Sequence, residues 1–171
     1  MICQLDPDPL VRLSRVDTKV GINSDQRAAW RGFQRMAVGL ASRLNQRLVG
    51  DAGLSLSDYE VLTALVNTED GILRAFELGA EVQWEKSRLS HHLKRMENRG
   101  LVSRKVCESD GRGLWVSITA VGREAWRRAS VAHDALLDDL VFSRLGDDQL
   151  DQLTTISDAV LDGLGDPLCA D

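Results

Sequence analysis

Arg88, His91 and Arg95 recur at the three- and four-residue spacing that brings side chains onto one face of a helix, with Ser87 and Lys94 along its outer edge. Such a row is rich in hydrogen-bond donors, and the charged partner it suits is a phosphate or the acceptor edge of a base. Arg88 stands near the start of this helix, where a guanidinium can fork onto guanine O6 and N7. His91 shares the face and can meet a base or a phosphate. Ser87 and Ser90 are small enough for close approach and can donate to phosphate, while Lys94 and Arg95 suit backbone positioning better than sequence reading. Leu89, Leu93 and Met96 form a second stripe, rotated from the first by roughly 120°. One side of the helix is therefore dry and the other carries donors, with His92 between them and expected to pack.

The elements around this helix fit the same chemistry. Glu85–Arg99 reads as the helix itself, and Gly100 stands where a C-terminal cap belongs. Two alternating runs follow, Leu101–Cys107 and Leu114–Thr119, and they flank the polar tip Glu108–Gly113 as the strands of a β-hairpin. Arg104 and Lys105 on the first strand are candidates for phosphate contact, with one of the two open to a structural role instead. A donor-faced helix followed by a basic hairpin is the layout of a winged helix-turn-helix. Residues 84–113 carry eight basic side chains against four acidic ones, a net of +4 in a chain whose total is −5. A basic island on an acidic chain is an electrostatic footprint for phosphate.

Other chemistries find little support. The three cysteines, at positions 3, 107 and 169, show neither a disulfide framework nor a zinc spacing. His91 and His92 are adjacent, so about 100° of helix rotation separates them and they cannot chelate together. His133 stands apart from both, beside Asp134. No glycine-rich phosphate loop, nucleophile elbow or carboxylate pair appears, so neither an enzyme nor a bound cofactor or metal is expected. No apolar run approaches a membrane span, and the first residues lack the pattern of a secretory signal, which points to the cytoplasm.

Residues 1–23 hold two of the three prolines without clean periodicity and read as an irregular arm. Ser24 is placed to cap a long first helix ending near Gly50 and Gly53. Ser57-Asp58-Tyr59-Glu60 matches a capping box for the second. Ile72-Leu73-Arg74 is short enough for an edge strand, and a third helix over about 75–82 leads through Gln83-Trp84 into the donor-faced helix. Thr119 can cap a helix with no breaker until about Leu145, roughly 40 Å long at ~1.5 Å per residue. A last helix follows Gly146. Residues 134–171 contain ten aspartates and one arginine, a net of −9, yet their apolar residues keep helical phase. The first, long and last helices carry more apolar surface than a small reading lobe can cover. A second copy of the chain on a two-fold axis would cover it.

Taken together, Leu54–Leu65, Leu78-Gly79, Ser87–Gly100, Gly100–Arg104, Asp110-Gly111-Arg112 and Ser117–Thr119 leading to Gly122 resemble the MarR family of bacterial transcription regulators, over roughly Ser24 to Leu164. The resemblance implies a mainly α (α+β) fold, with a winged helix-turn-helix DNA-binding lobe at about 54–119. It also implies a dimerisation lobe from helices at about 24–50 and 119–164, leaving 1–23 as the arm and 165–171 as a tail. A homodimer would then bind double-stranded DNA at an inverted-repeat operator, its fourth helix in the major groove and its wing in the minor groove. The resemblance further implies a repressor released by a small-molecule effector. Arg112 matches the family's minor-groove arginine, and Asp110 is placed to orient it. Trp30, Phe33 and Trp126 are candidates for lining the cavity that the family places between the two lobes. Two features depart from the pattern: Gly111 replaces the usual central arginine of the wing motif, and no cysteine stands near the start of the first helix, where peroxide-sensing members carry one. A winged-helix protein-interaction module without specific DNA binding is the rival reading, and the basic face argues against it.

Overall fold

The first helix, α1, begins at Ser24 and runs to Ala52. Its cap is Asn23 rather than the expected Ser24. The Asn23 carboxamide oxygen accepts from Gln26 N–H and the Gln26 oxygen accepts from Asn23 N–H, both at 2.8 Å. An amide pair closing both ways satisfies two orphan N–H groups, whereas the Ser24 hydroxyl bonds only the neighbouring Asp25. At the far end Gly53 adopts φ +67°, a left-handed conformation that glycine takes without strain. The computed structural model describes residues 21–106 and 113–165. The arm through residue 20, Cys3, Cys107, Asp110, Gly111, Arg112 and the tail from 166, including Cys169, lie outside the described residues.

Helix α2 covers Leu56–Val66, and its capping box sits two residues earlier than the sequence suggested. Ser55, not Ser57, is the N-cap, and Asp58, not Glu60, is its reciprocal acid, with bonds of 3.0 and 2.9 Å. Both pairs fit the same sequence pattern. Asp58 is also met by His92 and Arg99 from further along the chain, and no local pattern records that. Strand β1 (Ile72–Arg74), α3 (Ala75–Glu81), α4 (Lys86–Asn98), β2 (Val102–Val106) and β3 (Leu114–Ile118) follow in order. The sheet order is β1-β3-β2, antiparallel throughout, so β1 is the edge strand its shortness predicted. Leu48, Leu62, Leu65, Leu78, Leu93, Met96 and Val116 are among the buried residues of one core that joins the end of α1 to α2, α3, α4 and the sheet.

Helix α5 spans Ala120–Leu140, with the Thr119 hydroxyl accepting from Gly122 N–H at 2.9 Å as its cap. Gly122 lies so close to the Leu101 carbonyl that a Cβ there would overlap it, which fixes the hairpin against the first turn of α5. The helix stops some five residues short of the expected end near Leu145. Two side chains from just beyond the end, the Ser143 hydroxyl and Arg144 Nε, donate to the Asp139 carbonyl at 3.1 Å. They satisfy one of the orphan acceptors that end any helix, and a 3₁₀ turn over Phe142–Arg144 takes over. Helix α6 (Asp147–Leu164) closes on Gly165 in the left-handed region. None of its residues is buried: Ile156 is 62% and Val160 56% exposed.

The chain divides between Val38 and Gly39 into two compact units. In the first, Trp30 and Phe33 stack on each other with ring centroids 5.5 Å apart. The second holds the three-stranded sheet and helices α2 to α6, a mainly helical winged-helix fold.

Candidate nucleic-acid interface

The turn between α3 and α4 sets the donor-faced helix. Trp84 N–H donates to the Gly79 carbonyl at 2.9 Å and Gln83 takes φ +52°, so the chain reverses within four residues of the end of α3. Leu89, Leu93 and Met96 then enter the core, and His92 is buried with them, as the helical phase required. Ser87, Arg88, Ser90, His91, Lys94 and Arg95 are all exposed. The structure therefore brings six of the expected contact residues onto one solvent-facing side of one helix.

Behind that face lies a polar cluster that sequence reasoning did not assemble. Asp58 is buried, and its Oδ2 accepts from Ser55 N–H at 2.9 Å and from Arg99 Nη1 at 2.7 Å. Arg99 also donates to the Gly53 carbonyl at 2.5 Å, tying the end of α4 to the α1–α2 loop. His92 Nε2 faces Asp58 Oδ1 at 3.0 Å, at an angle outside hydrogen-bond geometry, so the contact is electrostatic. Arg95 Nη2 lies 2.9 Å from His92 Nδ1. Burial pushes the Asp58 carboxyl up, but His92, Arg99 and Ser55 together outweigh it and hold it well below the usual carboxylate range. Arg88 lies over the Trp84 indole, 4.0 Å from its centroid, a cation–π contact that braces the guanidinium beside the helix start. On α2, burial raises the pKa of Glu60 against the opposing pull of the Arg88 guanidinium. A concavity of about 680 Å³ opens along this seam, with Arg88, His92, Arg95 and Arg99 in its wall.

On the hairpin, Arg104 is committed. Its Nε and Nη2 both reach Glu97 Oε2, at 3.0 and 2.6 Å, and this pairing holds the Glu97 carboxyl below its ordinary pKa. A phosphate contact by Arg104 would have to give up that pair, which leaves Lys105 as the exposed cation of β2. Asp110 and Arg112 belong to the segment outside the described residues. Trp126 is half-buried against the core and donates its indole N–H to the Thr63 hydroxyl at 3.0 Å. Trp30 and Phe33 are each 53% exposed. A cavity of about 580 Å³ lies elsewhere, between α3, α4 and the start of β3, lined by Phe76, Trp84, Leu89 and Leu93 with Lys86 and Ser90 at its polar side. Among the described residues no group of His, Cys, Asp or Glu could hold a metal ion, and no helix is long and apolar enough to cross a membrane.

The residues missed from sequence are Asp58, Arg99 and Trp84. Arg99 read as a helix end and Trp84 as a turn. The one available signal was His92, a polar side chain in phase with the dry stripe, since a buried imidazole needs polar partners.

Comparison with known proteins gives a consistent answer. A sequence model described as MarR family matches residues 52–113. No curated protein matches the chain. Among solved structures, Sco3205, a MarR family transcriptional regulator from Streptomyces coelicolor in complex with DNA, is 32% identical with a TM-score of 0.82, covering 86% of this chain and 92% of its own. AbsC, a MarR family transcriptional regulator from the same organism, is also 32% identical, with a TM-score of 0.79 and coverage of 84% and 97%. A mutant MarR from E. coli complexed with operator DNA shares the fold at 19% identity and a TM-score of 0.70, covering 78% of this chain and 94% of its own.

Proposed function

Because the chain belongs to the MarR family of transcriptional regulators, we propose that it is a sequence-specific DNA-binding regulator that acts as a homodimer and represses until a small effector releases it. The observation that carries this reading is the exposed row Ser87, Arg88, Ser90, His91, Lys94 and Arg95 on a helix whose other side is anchored in the core. A rigidly held helix with donors on its free side is what a major groove accepts. Arg88 takes a base edge, while Lys94, Arg95 and Lys105 take phosphates, with Ser87, Ser90 and His91 between them. Arg112 would carry the minor-groove contact of the wing, with Asp110 orienting it. Two such helices on a two-fold axis would meet major grooves about 34 Å apart, which calls for an inverted-repeat site.

The effector is the finer part of the reading. A cavity of about 580 Å³ against α4 is within the size range of small-molecule sites, and a ligand there would press on Lys86 and Ser90. The stacked Trp30–Phe33 pair and Trp126 remain the other candidates. The test is a titration of the protein against duplex DNA flanking its own gene and against random duplex, repeated with phenolic compounds and oxidants. Preference for the flanking DNA, lost on adding one compound, is the expected result. Equal affinity for both duplexes would refute sequence-specific binding and return the protein-interaction reading.

A further inference from the structure

We infer that His92 is a positioning residue for DNA recognition: with Asp58 behind it, its ring holds the Arg95 guanidinium in place on the reading face. The inference rests on the DNA-binding reading above and adds a residue that does not itself touch DNA. A guanidinium has donors and no acceptor, so the 2.9 Å contact requires a lone pair on His92 Nδ1. The ring hydrogen then sits on Nε2, the nitrogen that faces Asp58 Oδ1 at 3.0 Å. Charge and dipole line up in one direction, from the buried carboxylate through the imidazole to the exposed arginine.

The surroundings keep the ring there. His92 is only 7% exposed. The Trp84 indole meets it edge-on, with centroids 5.0 Å apart and planes at 89°, and the same indole supports Arg88 from its face. Asp58 is itself fixed, because its other oxygen is taken by Ser55 N–H and Arg99. Two arginines of the reading helix are thus seated on one small platform, Arg88 on Trp84 and Arg95 on His92. A free surface arginine loses rotamer entropy when it binds a phosphate, and one already held loses less. Asp58 and His92 therefore act on affinity by preparing Arg95, not by contact.

The test is a double-mutant cycle on the full chain, with affinity measured on duplex flanking its own gene and on random duplex. His92→Phe keeps the ring volume and removes the acceptor. It should weaken binding roughly 3–10-fold, the size expected for ordering one long side chain, and Arg95→Ala should weaken binding at least as much. The double variant should be no weaker than Arg95→Ala alone. His92→Asn puts a carboxamide oxygen near the place of Nδ1 and should recover most of the loss. Fully additive losses, or His92→Asn as weak as His92→Phe, would overturn the inference. Nitrogen-15 NMR of the wild-type ring needs no variant and guards against a misfolded one. It should show hydrogen on Nε2 and a bare Nδ1, whereas hydrogen on Nδ1 with preference for the flanking duplex intact refutes the positioning role alone. Wild-type protein that binds both duplexes equally refutes the DNA reading, and the positioning role with it.

Discussion

Helices α4 and α6 are both amphipathic, yet only one has its apolar side covered. Leu89, Leu93 and Met96 of α4 are buried in the core of its own chain. Leu150, Leu153, Ile156, Val160 and Leu164 of α6 are all exposed. The polar sides differ as well: α4 carries Lys86, Arg88, Lys94 and Arg95 on its free side, while α6 holds five aspartates and no lysine or arginine. Burial within the chain fixes a helix so that its other face can read a ligand. An apolar side left open is a helix whose partner is still to come. On the proposed reading, α4 serves recognition and α6 assembly.

The largest effect should come from breaking assembly. Placing aspartates at Ile156 and Val160 together would put charges into an interface that also buries the same positions of the second copy. With about 1.5–3 kcal/mol per apolar side chain fully buried, the loss should exceed what a dimer of ordinary affinity can absorb. Sedimentation should show wild type as a dimer at micromolar concentration and the double variant as a monomer. A variant that sediments like wild type would place the interface elsewhere.

Leu93→Ala sharpens the contrast from the other side. It removes a buried leucine of α4 and should cost about 2–5 kcal/mol of folding stability, with the subunit dissociation constant little changed. Denaturant melts read the first quantity and sedimentation the second. A Leu93→Ala protein that dissociates without losing stability would reverse the division of labour between the two helices.

Asp58→Asn tests how firmly α4 is tied to α2. Asp58 is buried, but its partner Arg99 is 43% exposed, so the loss at neutral pH should be modest, about 2 kcal/mol. The folded-state pKa of Asp58 lies below its unfolded value, so the carboxylate contributes its full stability above the ordinary aspartate range near 3.9. That contribution fades as pH falls below this range toward the depressed folded value. Wild type and Asp58→Asn should therefore converge in stability on acidification from about pH 6 to about pH 3. Parallel curves across that interval would mean that the carboxylate charge contributes nothing.

The sequence made the elements legible and left their tertiary ties hidden. Periodicity placed α4, the hairpin strands and the edge strand β1, because the dry stripe and the two-residue alternation are set by local geometry. It misplaced the cap of α2 because Ser55/Asp58 and Ser57/Glu60 satisfy one pattern, and the choice fell to Arg99 and His92, some forty and thirty-four residues away. It overran the end of α5 because Ser143 and Arg144 fold back on the Asp139 carbonyl, a bond no composition rule marks. The exposed donors of α4 were readable from phase alone. The seats beneath two of them, Trp84 and His92, lie only four and three residues away, but what fixes those seats, the turn before α4 and Asp58 on α2, no local pattern marks.

The smallest effects, and the most discriminating, lie within the face of α4 itself. Arg88→Ala removes a side chain placed for a bidentate base contact, and it should cost about 1–3 kcal/mol on the specific site and much less on random duplex. Lys94→Ala removes an exposed charge that makes no ion pair among the described residues, and a phosphate contact there carries no sequence information. Its loss should be nearly equal on both duplexes and should lower the salt slope by about one. Titration of each variant on both duplexes at two salt concentrations separates these signatures. The Arg88 seat gives the experiment an internal control. Trp84→Leu keeps an apolar side chain at the turn and removes the π face, so it should reproduce part of the Arg88→Ala loss on the specific site, with a smaller loss on both duplexes through its contact with His92. If Arg88→Ala and Lys94→Ala gave the same profile, the start of α4 would be holding backbone and not reading bases. Specificity would then have to come from His91 or from the wing.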